Sequence, residues 1–359
     1  MTRLRVGVAG LSHDHVWSNL ATLATGTLGQ LVAAADPDPR LRARLEQTHG
    51  GVQTHAAYDA FLARGDLDAV LVFADNRASV EVGVAALARG WPVMVEKPMA
   101  ADLRGADALL AAGRAAGLPL MVNWPTVWRP ALRHGLALAR AGAVGAPVQV
   151  SHRGGHAGPR EFGCSPQFCE WLYDPARNGG GALIDYCGYG ALLCHALVGQ
   201  PHEVTAVTGC LRKQGLAAED SALVVLRYPR TFGLLEASWT QIGSEPAFAM
   251  IVYGDAGTLV VHQPRAVREG QAIAPGRLEV VTGAGSQAID VPPLPADERD
   301  GPTYFLSCVH KGRLVEGLCA PEVGRDVQEI LQAALVSSAR GRSVALPLSA
   351  EAPRQQEAL

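Results

Sequence analysis

Lysine is scarce in this chain of 359 residues: only Lys97, Lys213 and Lys311 accompany many arginines. Any lysine kept against that background is a candidate for chemistry, because lysine shifts its pKa and passes a proton where arginine stays charged. A basic excess is also lacking. The formal net charge is −3, so no positive field draws in nucleic acid. Aromatic residues make up 6%, which leaves a core of mainly Ala, Val and Leu. The seven cysteines form no C-x-x-C pair and are odd in number, which excludes a disulfide scaffold and fits a reduced compartment. No apolar run reads as long enough to span a bilayer, and the first strand starts close to Met1, leaving no room for a leader peptide. A cytoplasmic enzyme is expected. There is no internal repeat.

What is present is alternation. Leu4–Ala9 reads as a strand, 16–24 as a helix, Leu31–Ala35 as a strand, then 41–49 and 54–64 as helices. Strand 68–73, helix 79–89, strand 92–95, helix 102–116 and strand 118–122 follow. Strands and helices in turn predict an α/β, doubly wound parallel sheet, a Rossmann domain over 1–124. The loop Gly10-Leu11-Ser12-His13-Asp14-His15 and the acid Asp36 carry the β-loop-α-β pattern of a dinucleotide site. Only Gly10 matches a glycine of G-x-G-x-x-G. Ser12, His13 and His15 supply donors near a helix N-terminus, which favours anions. A metal on His13, Asp14 and His15 is not expected, since alternating ligands on such a turn seldom converge. Asp36 suits the two ribose hydroxyls of NAD and repels the 2′-phosphate of NADP, while Arg40 keeps NADP possible. Ala74, Asp75 and Asn76 lie at a strand end where a nicotinamide ribose would pass.

The apolar run Val93-Met94-Val95 delivers Glu96 and Lys97 to a strand's carboxyl end, and Pro98 stops the ladder there. In the second half, Trp124–Pro130 marks a junction and 131–141 a helix. A strand covers 148–153, and a pocket-lining loop rich in aromatics spans 154–177. Gly179-Gly180-Gly181 precedes a helix over 182–197, on which Asp185 and Tyr189 are i and i+4 and share a face. Strands over 204–209, 220–228, 232–240, 248–253 and 258–262 predict an antiparallel sheet with one covered face. Residues 292–303 read as a loop, 303–316 and 324–339 as helices. Trp239 reads as core.

These pieces together resemble the glucose-fructose oxidoreductase / inositol dehydrogenase / rhizopine-catabolism (Gfo/Idh/MocA) family: Val6–Gly10 with Asp36, Asp68-Ala69-Val70, Glu96-Lys97-Pro98, Arg129-Pro130, Gly179 through Asp185, and the Gly254–Leu259 hairpin. The resemblance implies a Rossmann domain followed, over 125–359, by an α+β domain with a large, open, mainly antiparallel sheet. That sheet often makes a homodimer or homotetramer interface. It implies hydride transfer between a nicotinamide cofactor and a sugar, inositol or related cyclic polyol. Tyr189 stands where most members carry a histidine, as in the branch whose tyrosine is taken as the proton-transfer group, and Ser79 also replaces a histidine. An ammonium ~4 Å from a phenol at an effective dielectric of ~20 is worth ~4 kcal/mol, roughly three pKa units. On this arithmetic Lys97 brings Tyr189 near neutrality, with Asp185 as orienter; a second version has Lys97 itself transferring the proton. Trp124, Arg129, His156, Tyr173, Asp185, Tyr189 and Lys97 are candidate substrate contacts, and Glu96 and Lys97 also border the cofactor. The competing readings are a tight-cofactor sugar transhydrogenase and a non-catalytic dinucleotide sensor.

Overall fold

The computed structural model describes residues 2–242, 248–262 and 276–348. The N-terminal strands are β1 (Leu4–Ala9), β2 (Gly29–Ala35), β3 (Gln53–His55), β4 (Ala69–Val72), β5 (Val93–Glu96) and β6 (Leu120–Asn123). They pair in parallel in the order β3-β2-β1-β4-β5-β6. Every residue of β4, β5 and β6 is buried, as helix cover on both faces requires. The covering helices are α1 (His15–Thr25), α2 (Pro39–Thr48), α3 (Tyr58–Leu62), α4 (Asn76–Ala88) and α5 (Leu103–Ala116). Asp38, Asp75 and Asp102 cap α2, α4 and α5 by accepting the N–H groups of Arg40, Ala78 and Gly105. The strand order reverses between β1 and β4, which opens a crevice at the carboxyl ends where the Gly10 loop, Asp36 and Ala74–Asn76 meet. The expected helix over 54–64 is instead the edge strand β3 followed by the short α3. Three residues pairing with Ala33–Ala35 satisfy their backbone in the ladder, too short a run to leave a periodicity signal.

After a 3₁₀ turn (Pro125–Trp128) and α6 (Pro130–Arg140), the second sheet contains β7 (Pro147–Gly155), β8 (Glu203–Gly209), β9 (Ser221–Arg227), β10 (Phe232–Ser238), β11 (Phe248–Gly254), β12 (Gly257–His262), β13 (Arg277–Thr282), β14 (Gly285–Ile289) and β15 (Val344–Ala345). The order is β14-β13-β12-β11-β7-β10-β9-β8-β15, antiparallel except for the β7–β10 pair. β13, β14 and β15 were not anticipated. The segment 154–177, expected as a loop, holds α7 (Pro159–Phe162), α8 (Pro166–Leu172) and α9 (Pro175–Asn178). Each begins with proline, and Ser165 and Asp174 cap the last two, so Ser-Pro and Asp-Pro were helix starts in the sequence. The expected helix after the glycine run begins as a π turn, Leu183–Cys187, before α10 (Gly188–Val198).

One face of this sheet lies under α6, α10 and α12 (Pro321–Arg340). The other exposes Val207, Leu223, Phe232, Tyr253 and Val281. The last helices reach back across the chain: α11 (Gly301–Lys311) packs on α1, and α12 packs on α5 and β6 as well as β8. The stretch Pro175–Val198 does have the length and hydropathy of a membrane span, which corrects the expectation that no run is long enough. Its apolar window is 67% buried within the protein, as a core helix would be.

Gly10 takes φ +88°, and a Cβ there would strike the backbone of Ala74. Gly117 takes φ +63° with open space around it. Gly10→Ala should cost on the order of 3 kcal/mol and Gly117→Ala about 1 kcal/mol, measured by urea denaturation; equal losses would refute the close approach.

Candidate active site

The strand β5 ends at Glu96 and places Lys97 in the crevice. There the Lys97 ammonium crosses to the second half of the chain. Nζ donates to Asp185 Oδ1 at 2.8 Å and to the Asp185 carbonyl at 3.2 Å, and lies 5.0 Å from the centre of the Tyr189 ring. The second carboxylate oxygen of Asp185 accepts the Trp239 indole N–H at 3.0 Å. Lys97 and Asp185 are both buried. Burial alone would neutralise each, but the partner charge outweighs it: the Lys97 pKa is raised and that of Asp185 lowered, so the pair is ionic.

The three predicted catalytic groups therefore meet, with one correction. Tyr189 was expected near neutrality. Burial raises its pKa, and Glu96 and Asp185 oppose the help from Lys97 and Arg129, so it stands pushed up to about 12. One ammonium set against a phenol in isolation leaves out first the cost of burying the tyrosinate and then the two carboxylates that the same ammonium serves. Tyr189 keeps its proton at neutral pH. Trp124 packs edge-on against it at 5.8 Å, and Arg129 interacts electrostatically with both Tyr186 and Tyr189. His156, at the end of β7, accepts the Gly158 N–H on Nδ1 at 2.9 Å, so its neutral form carries the proton on Nε2. Burial lowers its pKa, and its ring stacks on Phe162 and meets Tyr186 edge-on. Tyr173 accepts the Arg160 N–H and packs against Trp239. The substrate candidates thus converge on one region, and Trp239 and Tyr186 join them. Trp239 is core, as expected, with no exposure, and its indole also serves Asp185, a bond that nothing in its own segment announces.

The nucleotide loop is wired internally. Asp36 accepts the N–H of Leu11 on one oxygen, at 2.6 Å, and of Asp38 on the other, at 2.8 Å. Each oxygen keeps a lone pair for a ribose hydroxyl. Burial raises its pKa against those two bonds. His15 Nδ1 lies 3.0 Å from Glu96 Oε1, and Asn123 donates to Glu96 Oε2 at 2.8 Å. Asn123 sits opposite Glu96 in the β5–β6 register, a neighbour the sequence alone leaves hidden. His13, His15 and Glu96 bring ligand atoms within 4.8 Å of one another. A cation there would have to break these bonds, and His13 Nδ1 already accepts the His15 N–H. His13 is buried, with its pKa well lowered by desolvation and by the nearby His15 and Lys97. Three expected cofactor contacts are engaged elsewhere. Asp14 accepts the Ser165 N–H, Asp75 caps α4 and pairs with Arg177, and Asn76 donates to Asn178. Ser12 remains partly exposed in the loop, and Ala74 backs Gly10. Gly10 and the spare lone pairs of Asp36 fit a dinucleotide.

Residues 4–124 match the family model described as an oxidoreductase family with an NAD-binding Rossmann fold, and 133–260 match that of the GFO/IDH/MocA C-terminal domain. A dTDP-3,4-didehydro-2,6-dideoxy-alpha-D-glucose 3-reductase of Streptomyces antibioticus is 32% identical over 40% of this chain and 43% of its own length. An inositol 2-dehydrogenase of Ralstonia nicotianae is 29% identical over 44% of this chain and 48% of its own length. The chain thus spans about half the length of these relatives. The aldose-aldose oxidoreductase of Caulobacter crescentus, crystallised with glycerol, shares the fold at a TM-score of 0.79, with 22% identity over 96% of this chain and 100% of that one.

Lys97→Met strands Asp185 in the interior and should cost about 3–5 kcal/mol at neutral pH. The sign is fixed by the shifts. Asp185, with a depressed pKa, contributes above the unfolded carboxylate value of about 3.9 and loses that share in acid; Lys97, with a raised pKa, contributes below about 10.4 and loses it only in strong alkali. The gap between wild type and variant in chemical denaturation should therefore narrow as pH falls below about 4. A gap that widens in acid would contradict the pair.

Proposed function

Because the chain belongs to the GFO/IDH/MocA family of oxidoreductases, we propose that it transfers a hydride between a nicotinamide cofactor and a hydroxyl or keto carbon of a sugar, inositol or related cyclic polyol. The observation that carries this reading is the buried Lys97–Asp185 pair beside Tyr189, at the sheet edge that also presents the nucleotide loop. Bound there, the nicotinamide supplies the hydride acceptor or donor. Gly10 through His15, Asp36 and the β4 end would hold the dinucleotide, with Asp14, Asp75 and Asn76 exchanging their present partners for it. NAD is favoured over NADP: Asp36 and Asp38 make the end of β2 acidic, and Arg40 is committed to Asp38, whose pKa it lowers to about 2. Lys97 anchors the reacting oxygen and Asp185 holds Lys97. Tyr189, protonated in the resting site, gives its proton to the developing alkoxide in the reducing direction. The charges of Lys97 and Arg129 then stabilise the tyrosinate, and oxidation runs the same path backwards. Trp124, Arg129, His156 and Tyr173 shape the substrate pocket. A cofactor retained between turnovers is the second reading, favoured by how deeply the candidate cofactor contacts are buried. The protein works in the cytoplasm as a homodimer or homotetramer, through the open face of the large sheet. There Phe232, Tyr253 and Leu223 are exposed on strands flanking β7 or one step further.

Reduced-nicotinamide absorbance with a panel of sugars, inositols and ketosugars should reveal turnover, faster with NAD than with NADP. Tyr189→Phe and Lys97→Met should each lower it by roughly 10²-fold or more while NAD still binds. Normal turnover in both variants would remove the mechanism; NAD binding with no turnover across the panel would favour a sensor. Light scattering should show an oligomer that Phe232→Glu with Tyr253→Glu converts to monomer, at unchanged helix and strand content by circular dichroism; a wild-type monomer would refute the interface.

A further inference from the structure

We infer that Ser165–Asn178 forms part of the dinucleotide site as a strap that must lift for the cofactor to enter or leave; this rests on the cofactor assignment above. The strap belongs to the second half of the chain, yet it is tied to each element of the nucleotide crevice in turn. At the β1 loop, the Ser165 N–H donates to Asp14 at 2.7 Å, and Phe168 and Trp171 pack on His13 with ring centres 4.6 and 5.6 Å away. At the end of β2, Gln167 donates to Asp38 at 3.3 Å. Past β4, Arg177 pairs with Asp75 at 3.1 Å, Arg77 donates to the Ala176 carbonyl at 2.7 Å, and Asn76 donates to the Asn178 carbonyl and side chain at 2.9 and 2.8 Å.

Beneath these ties the groups assigned to the cofactor are shut away. His13 and Asp36 are 2% exposed and Asn76 is 3% exposed. A dinucleotide reaches them only after the strap moves. The ties are suited to that. Arg77 is exposed and Arg177 partly so, and surface charge pairs are cheap to break. Gly163 and Gly179, at φ +97° and +99°, bound the segment. A further sign points to a ligand: the Trp171 indole N–H, in a side chain 1% exposed, has no partner among the described residues, and its ring packs against His13 of the nucleotide loop. Burying such a donor unpaired is costly, and an acceptor on the cofactor would relieve it.

The ties cross the crevice from the strap to each of its edges, so they oppose passage in both directions. Loosening them should raise entry and exit together. Stopped-flow energy transfer from tryptophan to NADH reads both rates in the full-length protein. In Arg77→Met/Arg177→Met, association and dissociation should each rise roughly three- to tenfold while their ratio moves less than about twofold. Unchanged rates would overturn the strap, as would slower association with faster release, the mark of a damaged cleft. Amide exchange in the wild type gives a second measure: the Ser165 and Phe168 N–H groups should gain protection when NADH is added, and unaltered protection would also overturn it. A wild type that shows no energy transfer with NADH would overturn the cofactor assignment itself, and the strap with it.

Discussion

The interaction on which the rest depends is the ammonium-carboxylate contact between Lys97 and Asp185. It joins the end of β5 to the π turn before α10, two elements 88 residues apart in sequence. Neither charge is tolerable alone in that interior, so each residue fixes the other's protonation state and position. Trp239 completes the carboxylate's bonding, which leaves Asp185 little freedom to turn. Tyr189 then inherits its surroundings. It is buried beside an ammonium already committed, and burial together with Glu96 and Asp185 outweighs Lys97 and Arg129, so it holds its proton.

A second chain of bonds runs from the nucleotide loop to the same place. His15 reaches Glu96, Glu96 takes Asn123, and Asn123 takes the Trp128 indole. Glu96 and Lys97 are neighbours, so the loop that would meet a pyrophosphate and the lysine that would meet a substrate share one strand end. Any charge arriving on one side is felt electrostatically on the other, because both lie in a region of low dielectric.

The parallel sheet was legible because β4, β5 and β6 are short runs, apolar except for Glu96 and Asn123 at their carboxyl ends, with α4 and α5 between them. The meeting of Lys97, Asp185 and Tyr189 was legible from a rare lysine only in company with the family resemblance that Glu96-Lys97-Pro98 and the glycine run carry. What stayed hidden depended on contacts between distant segments. Asn123 faces Glu96 only through strand register, and Trp239 meets Asp185 only once the second sheet closes. The engagement of Asp14, Asp75 and Asn76 with the strap could not be read from the loop that contains them. The sign of the Tyr189 shift failed for the same reason: it is set first by how deeply the packed domains bury the phenol and then by Glu96 and Asp185 beside it, neither of which the sequence displays.

The glycine run that leads to Asp185 has one more implication. A Cβ on Gly179 would run into the Ala101 carbonyl, and one on Gly181 into the Glu219 carbonyl. The half-buried Glu219 carboxylate meanwhile accepts the N–H groups of Gly181 and Leu183. At Gly179 and Gly181 backbone rests on backbone, and Glu219 is the side chain that pins the turn leading to Asp185. With the seat of the carboxylate set this tightly, what the scaffold can act upon is left to the walls around it: Trp124, Arg129, the end of β7 and residues 156–173.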